Sequence, residues 1–379
     1  MNPLKAESRG AMPRASRRQL LAAIAALGST AFQPDRILRA QTSAVTAGNP
    51  RRLDLHHHFG SPRWIKRTAE VQRQGWLGFE GYSPAKAVEA MDKAGVATAF
   101  LSCTEPGLWM GDDFRIERHL AIELARDMNE YSARMMSDYK GRFGLFAVLP
   151  LPDIDASLTE IAYAFDTLKA DGVGLLTSYG DIWLGDDRLR PVFEELNRRQ
   201  AVVYSHPTDA SCCHGLGGTN VSTMEWFTDT ARTILTFIQE SPARPGEPTA
   251  VAGATSRGSA ASRYPNIKFI WSHGGGTLVG AAQRIVGIDT ENIDKPAAPN
   301  SRLAHIRRFY YDTAAAGPLV LPALKRLLGG TSHIVFGSDF PYGYDIVPDV
   351  EYLFKVGFTP EELRGIDRAN ALAILPKYA

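Results

Sequence analysis

Three consecutive histidines, His56, His57 and His58, close a short run from Arg51 to Phe59 in which apolar and polar residues alternate as in a β-strand. Side chains alternate faces along a strand, so His56 and His58 point one way and His57 the other. Two imidazoles converging at a strand end supply the first two ligands of a divalent metal. The run is internal and framed by strand residues, unlike a purification tag. Three later segments end in the same manner. Val202-Val203-Tyr204-Ser205-His206-Pro207 and Phe269-Ile270-Trp271-Ser272-His273-Gly274 each run from apolar residues to a histidine, and Val335-Phe336-Gly337-Ser338-Asp339 runs to an aspartate. Four of the nine histidines, His56, His58, His206 and His273, therefore fall on three strand ends that would surround one mouth, which is hard to ascribe to chance.

Three imidazoles and one carboxylate, from His56, His58, His206 and Asp339, suit one borderline divalent ion, Zn²⁺ or Mn²⁺, with room left for water or substrate. His273 then stands back either as a proton-transfer group or to orient a metal-bound water, and the proton comes either from Asp339 or from a water handled by His273. The fourth strand ends in Thr177-Ser178, where a two-metal site would want a bridging Lys or Glu, so a single metal is expected.

These residues need a scaffold that brings many strand ends to one mouth. From Arg51 onward, strand-like runs at 52–59, 97–104, 143–150, 172–178, 201–208, 267–274, 309–313 and 334–339 alternate with helical patterns at 83–94, 114–139, 157–170, 188–199, 222–239, 277–288 and 318–328. Apolar runs of this kind suit strands buried on both faces. Eight such units over roughly 330 residues predict a (β/α)8 TIM barrel with loop insertions, whose active site lies at the C-terminal ends of its strands. A doubly wound sheet is the competing fold, but no Gly-x-Gly-x-x-Gly follows the first strand. Residues 240–262, rich in Pro, Ala, Gly and Ser, read as a loop excursion.

Residues 1–47 read as a signal peptide and linker, with the barrel from 48 to 379. Arg17-Arg18 precedes the apolar segment 20–28, a pattern similar to a twin-arginine export signal, which implies a periplasmic destination. No run reaches the ~20 apolar residues of a membrane-spanning helix. Residues 1–50 hold seven Lys/Arg and two Asp/Glu, so removing that excess of five from the net charge of +1 leaves the body near −4. A mildly acidic body argues against nucleic-acid binding. Cys103, Cys212 and Cys213 are too few for a disulfide framework and read as loop-packing residues near a site.

The strand-end motifs Asp54-Leu55-His56-His57-His58, Ser205-His206-Pro207, Ser272-His273-Gly274-Gly275-Gly276 and Gly337-Ser338-Asp339-Phe340-Pro341 resemble the decarboxylase-like branch of the amidohydrolase superfamily. That branch includes aminocarboxymuconate-semialdehyde, γ-resorcylate and methylsalicylate decarboxylases. The likeness extends through 142–150, 169–175 and 194–197 and covers nearly all of 51–379. It implies that His56, His58, His206 and Asp339 bind the metal, that His273 is the general acid/base, and that the protein is a homodimer. The expected activity is metal-dependent, non-oxidative decarboxylation of a small aromatic or enoic carboxylic acid. A metal-dependent hydrolase of a lactone, ester or amide is the alternative on the same scaffold, and a non-catalytic periplasmic binding protein is a third.

Further residues carry paired readings. Asp54 either braces a ligand or is a plain strand-start carboxylate. Arg232, in Thr228-Asp229-Thr230-Ala231-Arg232, resembles an Asp-Thr-Thr-Arg stretch of the family's sites, with Ala231 departing from it; a solvated helix Arg is the alternative. Arg63, with Lys66 and Arg67, would meet a substrate carboxylate or form a solvated face. Trp64, Trp109 and Trp183 would cover an aromatic ligand or pack in the core. Gly274-Gly275-Gly276 would cradle a phosphate or allow close backbone approach. His57 is expected to pack behind its strand, and His119, His305 and His333 to lie at the surface or the barrel bottom.

Overall fold

A computed structural model describes residues 51–71, 79–108, 118–213, 220–242, 256–287, 293–342 and 344–379. The signal-like segment and linker, Trp109 and the start of the expected 114–139 helix lie outside the described residues. Eight strands run β1 Arg52–His58, β2 Val96–Ser102, β3 Phe143–Val148, β4 Gly172–Leu176, β5 Val202–His206, β6 Lys268–Trp271, β7 Tyr310–Asp312 and β8 Ile334–Val335. They form one sheet in chain order, each paired in parallel with the next. The sheet closes on itself through β1 and the segment that follows β8. The Leu55 amide donates to the Phe336 carbonyl at 3.0 Å, and His58 to Phe340 at 2.7 Å.

Helices cover the outside: α1 Pro62–Val71, α2 Pro84–Ala94, α3 Arg118–Asp138, α4 Ile154–Asp166, α5 Arg190–Arg198, α6 Val221–Ile238, α7 Leu278–Val286, α8 Arg302–Arg308, α9 Gly317–Leu328 and α10 Val347–Lys355. α2 is capped at both ends, the Ser83 side chain accepting from the Lys86 amide, with Pro84 in the first turn and Gly95 left-handed at the end. One apolar core fills the space between strands and helices. A smaller one fills the barrel, where Leu53, Leu55, Phe100, Phe146, Tyr204, Ile270 and Val335 meet Ala371 and Leu375 of the C-terminal segment.

Two strand ends differ from the sequence reading in a way that bears on the site. Regular pairing in β6 stops at Trp271 and in β8 at Val335, short of the expected ends at 274 and 339. His273 and Asp339 therefore stand on irregular chain beyond their strands, with φ of +54° and +60°. Such backbone is costly for non-glycine residues and persists where surrounding contacts hold it. The expected excursion at 240–262 contains a two-stranded pairing of Glu240–Pro242 with Ser256–Ser259 and a short helix Ala260–Arg263.

Candidate metal centre

β1 delivers two of the histidines through a bulge. Its register with β2 shifts between Asp54 and His57, so that one extra residue is accommodated on β1. Leu55 can then join the inner core while His56 also turns inward, its ring 5.2 Å from that of Tyr204. Beyond the bulge, normal alternation sends His58 inward and His57 outward. His57 stacks on Phe340 at 4.6 Å and bonds through Nδ1 to Asp54 at 3.0 Å. Gly337 is needed where β1, β7 and the β8 tail converge. A Cβ there would fall 2.7 Å from His56 Cβ and 2.9 Å from Asp312 Cβ.

His56, His58, His206 and Asp339 each offer one ligand atom, and these atoms lie within 4.8 Å of one another. The three imidazoles are buried. Each has its Nδ1 engaged by an acceptor: His56 by Asp312 Oδ2 at 2.7 Å, His58 by the Ser102 carbonyl at 3.3 Å and His206 by the Pro207 carbonyl at 2.8 Å. A proton on Nδ1 leaves a lone pair on Nε2. The Nε2 atoms of His56 and His58 are 3.0 Å apart, each within 3.1 Å of Asp339 Oδ1, and His206 Nε2 is buried without a hydrogen-bond partner. Lone pairs and a carboxylate facing one another could hold a cation between them, and N₃O donors suit a borderline divalent ion.

Electrostatics agree. Burial works against an imidazolium at His56, but Asp312 and Asp339 outweigh it and push the group up to about 10. Burial brings His58 down to about 4, helped by His56 and opposed by Asp339. Burial, with His58 and His56 beside it, holds His206 well below the usual histidine range. For Asp339, burial is outweighed by His56, His273 and His58, so its carboxylate stays ionised. The environment of His56 thus favours one positive charge there.

His273 reaches the same carboxylate from the other side, its Nε2 3.3 Å from Asp339 Oδ2. Its backbone amide donates to Asp312 Oδ1 at 2.8 Å. Asp312 is the residue that the sequence reading passed over. Its two oxygens hold His56 and His273 at once, although the strand ending at 313 was recognised and an aspartate at its end was the available signal. Asp54 proves to be a brace. It accepts from the Ser338 hydroxyl at 2.6 Å, from the Ser338 amide at 3.1 Å and from the His56 amide at 3.2 Å, tying β1 to the tail that carries Asp339.

Other candidates stand elsewhere. Arg63 on α1 pairs with Glu123 on α3 at 2.5 Å, half-exposed on the helical layer, and Arg67 faces Glu70 at 3.5 Å; these contacts make an outer, solvated face. Arg232 on α6 bonds to Glu225 at 3.4 Å and to Cys213 Sγ at 3.2 Å, and lies 3.7 Å from Asp229. Trp64 is core, its indole donating to the Gly107 carbonyl. The Trp183 indole donates to Asp229, which also accepts from Thr177 and Ser178, the hydroxyls just beyond β4. Cys103 is buried, and Cys212 and Cys213 sit on the loop after β5. His119 is exposed, whereas His305 is buried beside Ser259 and Ser262.

Fold and site define a parallel (β/α)8 barrel whose C-terminal mouth carries a three-histidine, one-aspartate cluster with a fourth histidine behind the carboxylate. The chain belongs to the amidohydrolase family, whose model matches residues 53–377. It is 33% identical to the decarboxylase yanB of Aspergillus niger, over 86% of this chain and 88% of that one. It is 32% identical to the 6-methylsalicylic acid decarboxylase of Penicillium expansum, over 86% and 96%. Among solved structures, a dihydroxybenzoic acid decarboxylase from Polaromonas sp. JS666, with bound manganese and the inhibitor 2-nitroresorcinol, shares the fold. Its TM-score is 0.66 at 18% identity, covering 86% of this chain and 97% of that one.

Proposed function

We propose that this amidohydrolase is a metal-dependent, non-oxidative carboxy-lyase acting on a small aromatic or enoic carboxylic acid. The observation that carries the reading is the set of Nε2 lone pairs of His56, His58 and His206 gathered with Asp339 Oδ1. The decarboxylase relatives favour carbon dioxide release over hydrolysis as the use of that centre. His56, His58, His206 and Asp339 would hold one Zn²⁺ or Mn²⁺. When bound, the ion supplies Lewis acidity that steadies negative charge on substrate oxygens.

The protein's own groups do the rest. Asp339 Oδ2 and His273 Nε2 stand 3.3 Å apart, close enough to hand one proton between them. Delivered to the carbon bearing the carboxylate, that proton takes an electron pair from the ring or enoic system. The bond to the carboxylate then breaks, its electron pair returns to that system, and CO₂ departs. One proton is consumed per turnover and is recovered from solvent through the same pair. Asp312 keeps His273 in place through its backbone and keeps His56 in the tautomer that leaves Nε2 free.

The test is metal analysis together with CO₂ release over a panel of aromatic acids. The wild-type protein is expected to hold about one metal per chain and to release CO₂, and His206→Ala to lose both. Full turnover by a metal-free His206→Ala protein would overturn the reading. Export through the twin-arginine route and a homodimer complete the proposal. Fractionation of an Arg17→Lys/Arg18→Lys variant and light scattering test them respectively.

A further inference from the structure

Two neighbouring aromatic residues on α6 belong to neither apolar core and are partly exposed at the mouth. The Trp226 ring lies 5.8 Å from that of His206, and its indole N–H donates to Asp209 at 2.9 Å. The Phe227 ring lies 5.1 Å from that of His273, inclined at 53°. Across the cluster, Tyr342 lies 5.9 Å from His58. The centre is therefore flanked by rings on more than one side, an arrangement suited to a flat, conjugated ligand.

Phe227 is held there by the glycine run after β6. Gly276 has φ +61° and ψ −128°, backbone that side chains strongly disfavour. A Cβ at Gly276 would lie 1.9 Å from the Phe227 carbonyl oxygen, which accepts from the Thr277 amide at 3.0 Å. Gly276 thus lets the start of α6 settle onto the β6 loop, and that descent brings the Phe227 ring to His273. The phosphate-cradle reading of Gly274-Gly275-Gly276 gives way to the close-approach reading, with Phe227 as the group that approaches.

We propose that Phe227 is a specificity-determining wall of the site, packing against a flat carboxylated ring and limiting the bulk of ring substituent admitted, with Gly276 setting its position. The inference rests on the carboxy-lyase reading and adds to it the side chain that selects the ring. It separates Phe227 from core aromatics such as Phe237, whose loss would unsettle the fold without changing substrate preference.

The experiment uses the metal-loaded full chain. CO₂ release is measured from 2-hydroxybenzoate and from 2-hydroxybenzoates carrying progressively bulkier alkyl groups. Phe227→Ala is expected to raise KM for the unsubstituted acid about tenfold with a smaller change in kcat, and to shift the kcat/KM ranking about tenfold toward the bulkier acids. Phe227→Tyr restores the wild-type ranking. Gly276→Ala, by displacing the Phe227 carbonyl, reproduces the altered ranking. Gly287→Ala is the control: it has a similar φ of +66° but open space around its Cβ, so it lowers Tm and keeps the ranking. A folded Phe227→Ala protein with KM and ranking within twofold of wild type overturns the proposal and leaves the carboxy-lyase reading standing. Should the wild-type protein release CO₂ neither from these acids nor from any other aromatic or enoic acid, that reading fails, and calorimetric binding of 2-hydroxybenzoate decides the inference by itself. Affinity about tenfold weaker in Phe227→Ala supports it; equal affinity, or no binding by the wild-type protein, overturns it.

Discussion

A single carboxylate, Asp312, sets the tautomer of His56 and the backbone position of His273, through contacts of 2.7 and 2.8 Å. Asparagine in its place keeps the size but can turn an N–H donor toward His56 Nδ1. His56 would then carry its proton on Nε2, where the metal needs a lone pair. Asp312→Asn is expected to lower metal affinity or kcat by about 10- to 100-fold, read by metal titration and CO₂ release, with little change in Tm. Glu105 offers a second test. Burial, with Asp209 nearby, pushes its carboxyl up to about 8, against the hydrogen bond from Thr208. The folded state then holds a proton that the unfolded chain releases near its ordinary carboxyl range, so stability falls as pH rises from about 4.5 to about 8. Glu105→Gln should flatten that stretch of the Tm-against-pH curve. At this scale the sequence revealed the histidines and Asp339, because each follows an apolar run and sits at the same point of its unit. It hid Asp312 and Glu105, whose work depends on which neighbours face them. The placement of Arg63 was equally hidden, since it depends on which side of α1 faces α3.

Elements place the site through their irregularities. Alternation correctly separated His57 from its neighbours, yet the bulge that turns both Leu55 and His56 inward leaves no mark in the residue types. The ends of β6 and β8 were read too long for a related reason. Ser272-His273 and Phe336–Asp339 continue the strand-like pattern of residues, while the backbone leaves the sheet to bring side chains over the mouth. α6 is anchored by Asp229, which accepts hydrogen bonds from Thr177, Ser178 and the Trp183 indole and is itself fully buried. Asp229→Ala would leave those three donors without their acceptor and is expected to cost roughly 2–4 kcal/mol in denaturant unfolding. An Asp229→Ala protein as stable as wild type would show that this anchor carries no weight.

Across the whole molecule, the barrel architecture was legible because eight apolar runs alternate with helical patterns, and the ring closes in chain order. What seals the end of the barrel away from the site was not legible. Arg52, buried at the start of β1, pairs with Asp367 at 2.8 Å and donates to the Ala94 carbonyl at 2.6 Å, while Ala371 and Leu375 enter the inner core. That contact spans most of the chain, beyond the reach of any local pattern. Asp367→Ala would strand a buried guanidinium and should destabilise by about 3–5 kcal/mol, lowering Tm while the folded fraction retains its metal and activity. The Arg52–Asp367 contact lies at the end of the strands opposite the metal centre. The central claim, that the cluster at the mouth serves decarboxylation, is tested most directly by mass spectrometry of the gas released from carboxyl-labelled 2-hydroxybenzoates. Protein carrying one Zn²⁺ or Mn²⁺ per chain is predicted to yield labelled CO₂ and the matching arene in equal amounts, to stop when the metal is chelated and to resume when it is returned. Hydrolysis of a lactone, ester or amide with no CO₂ from any acid, or undiminished CO₂ release after the metal is removed, would contradict it.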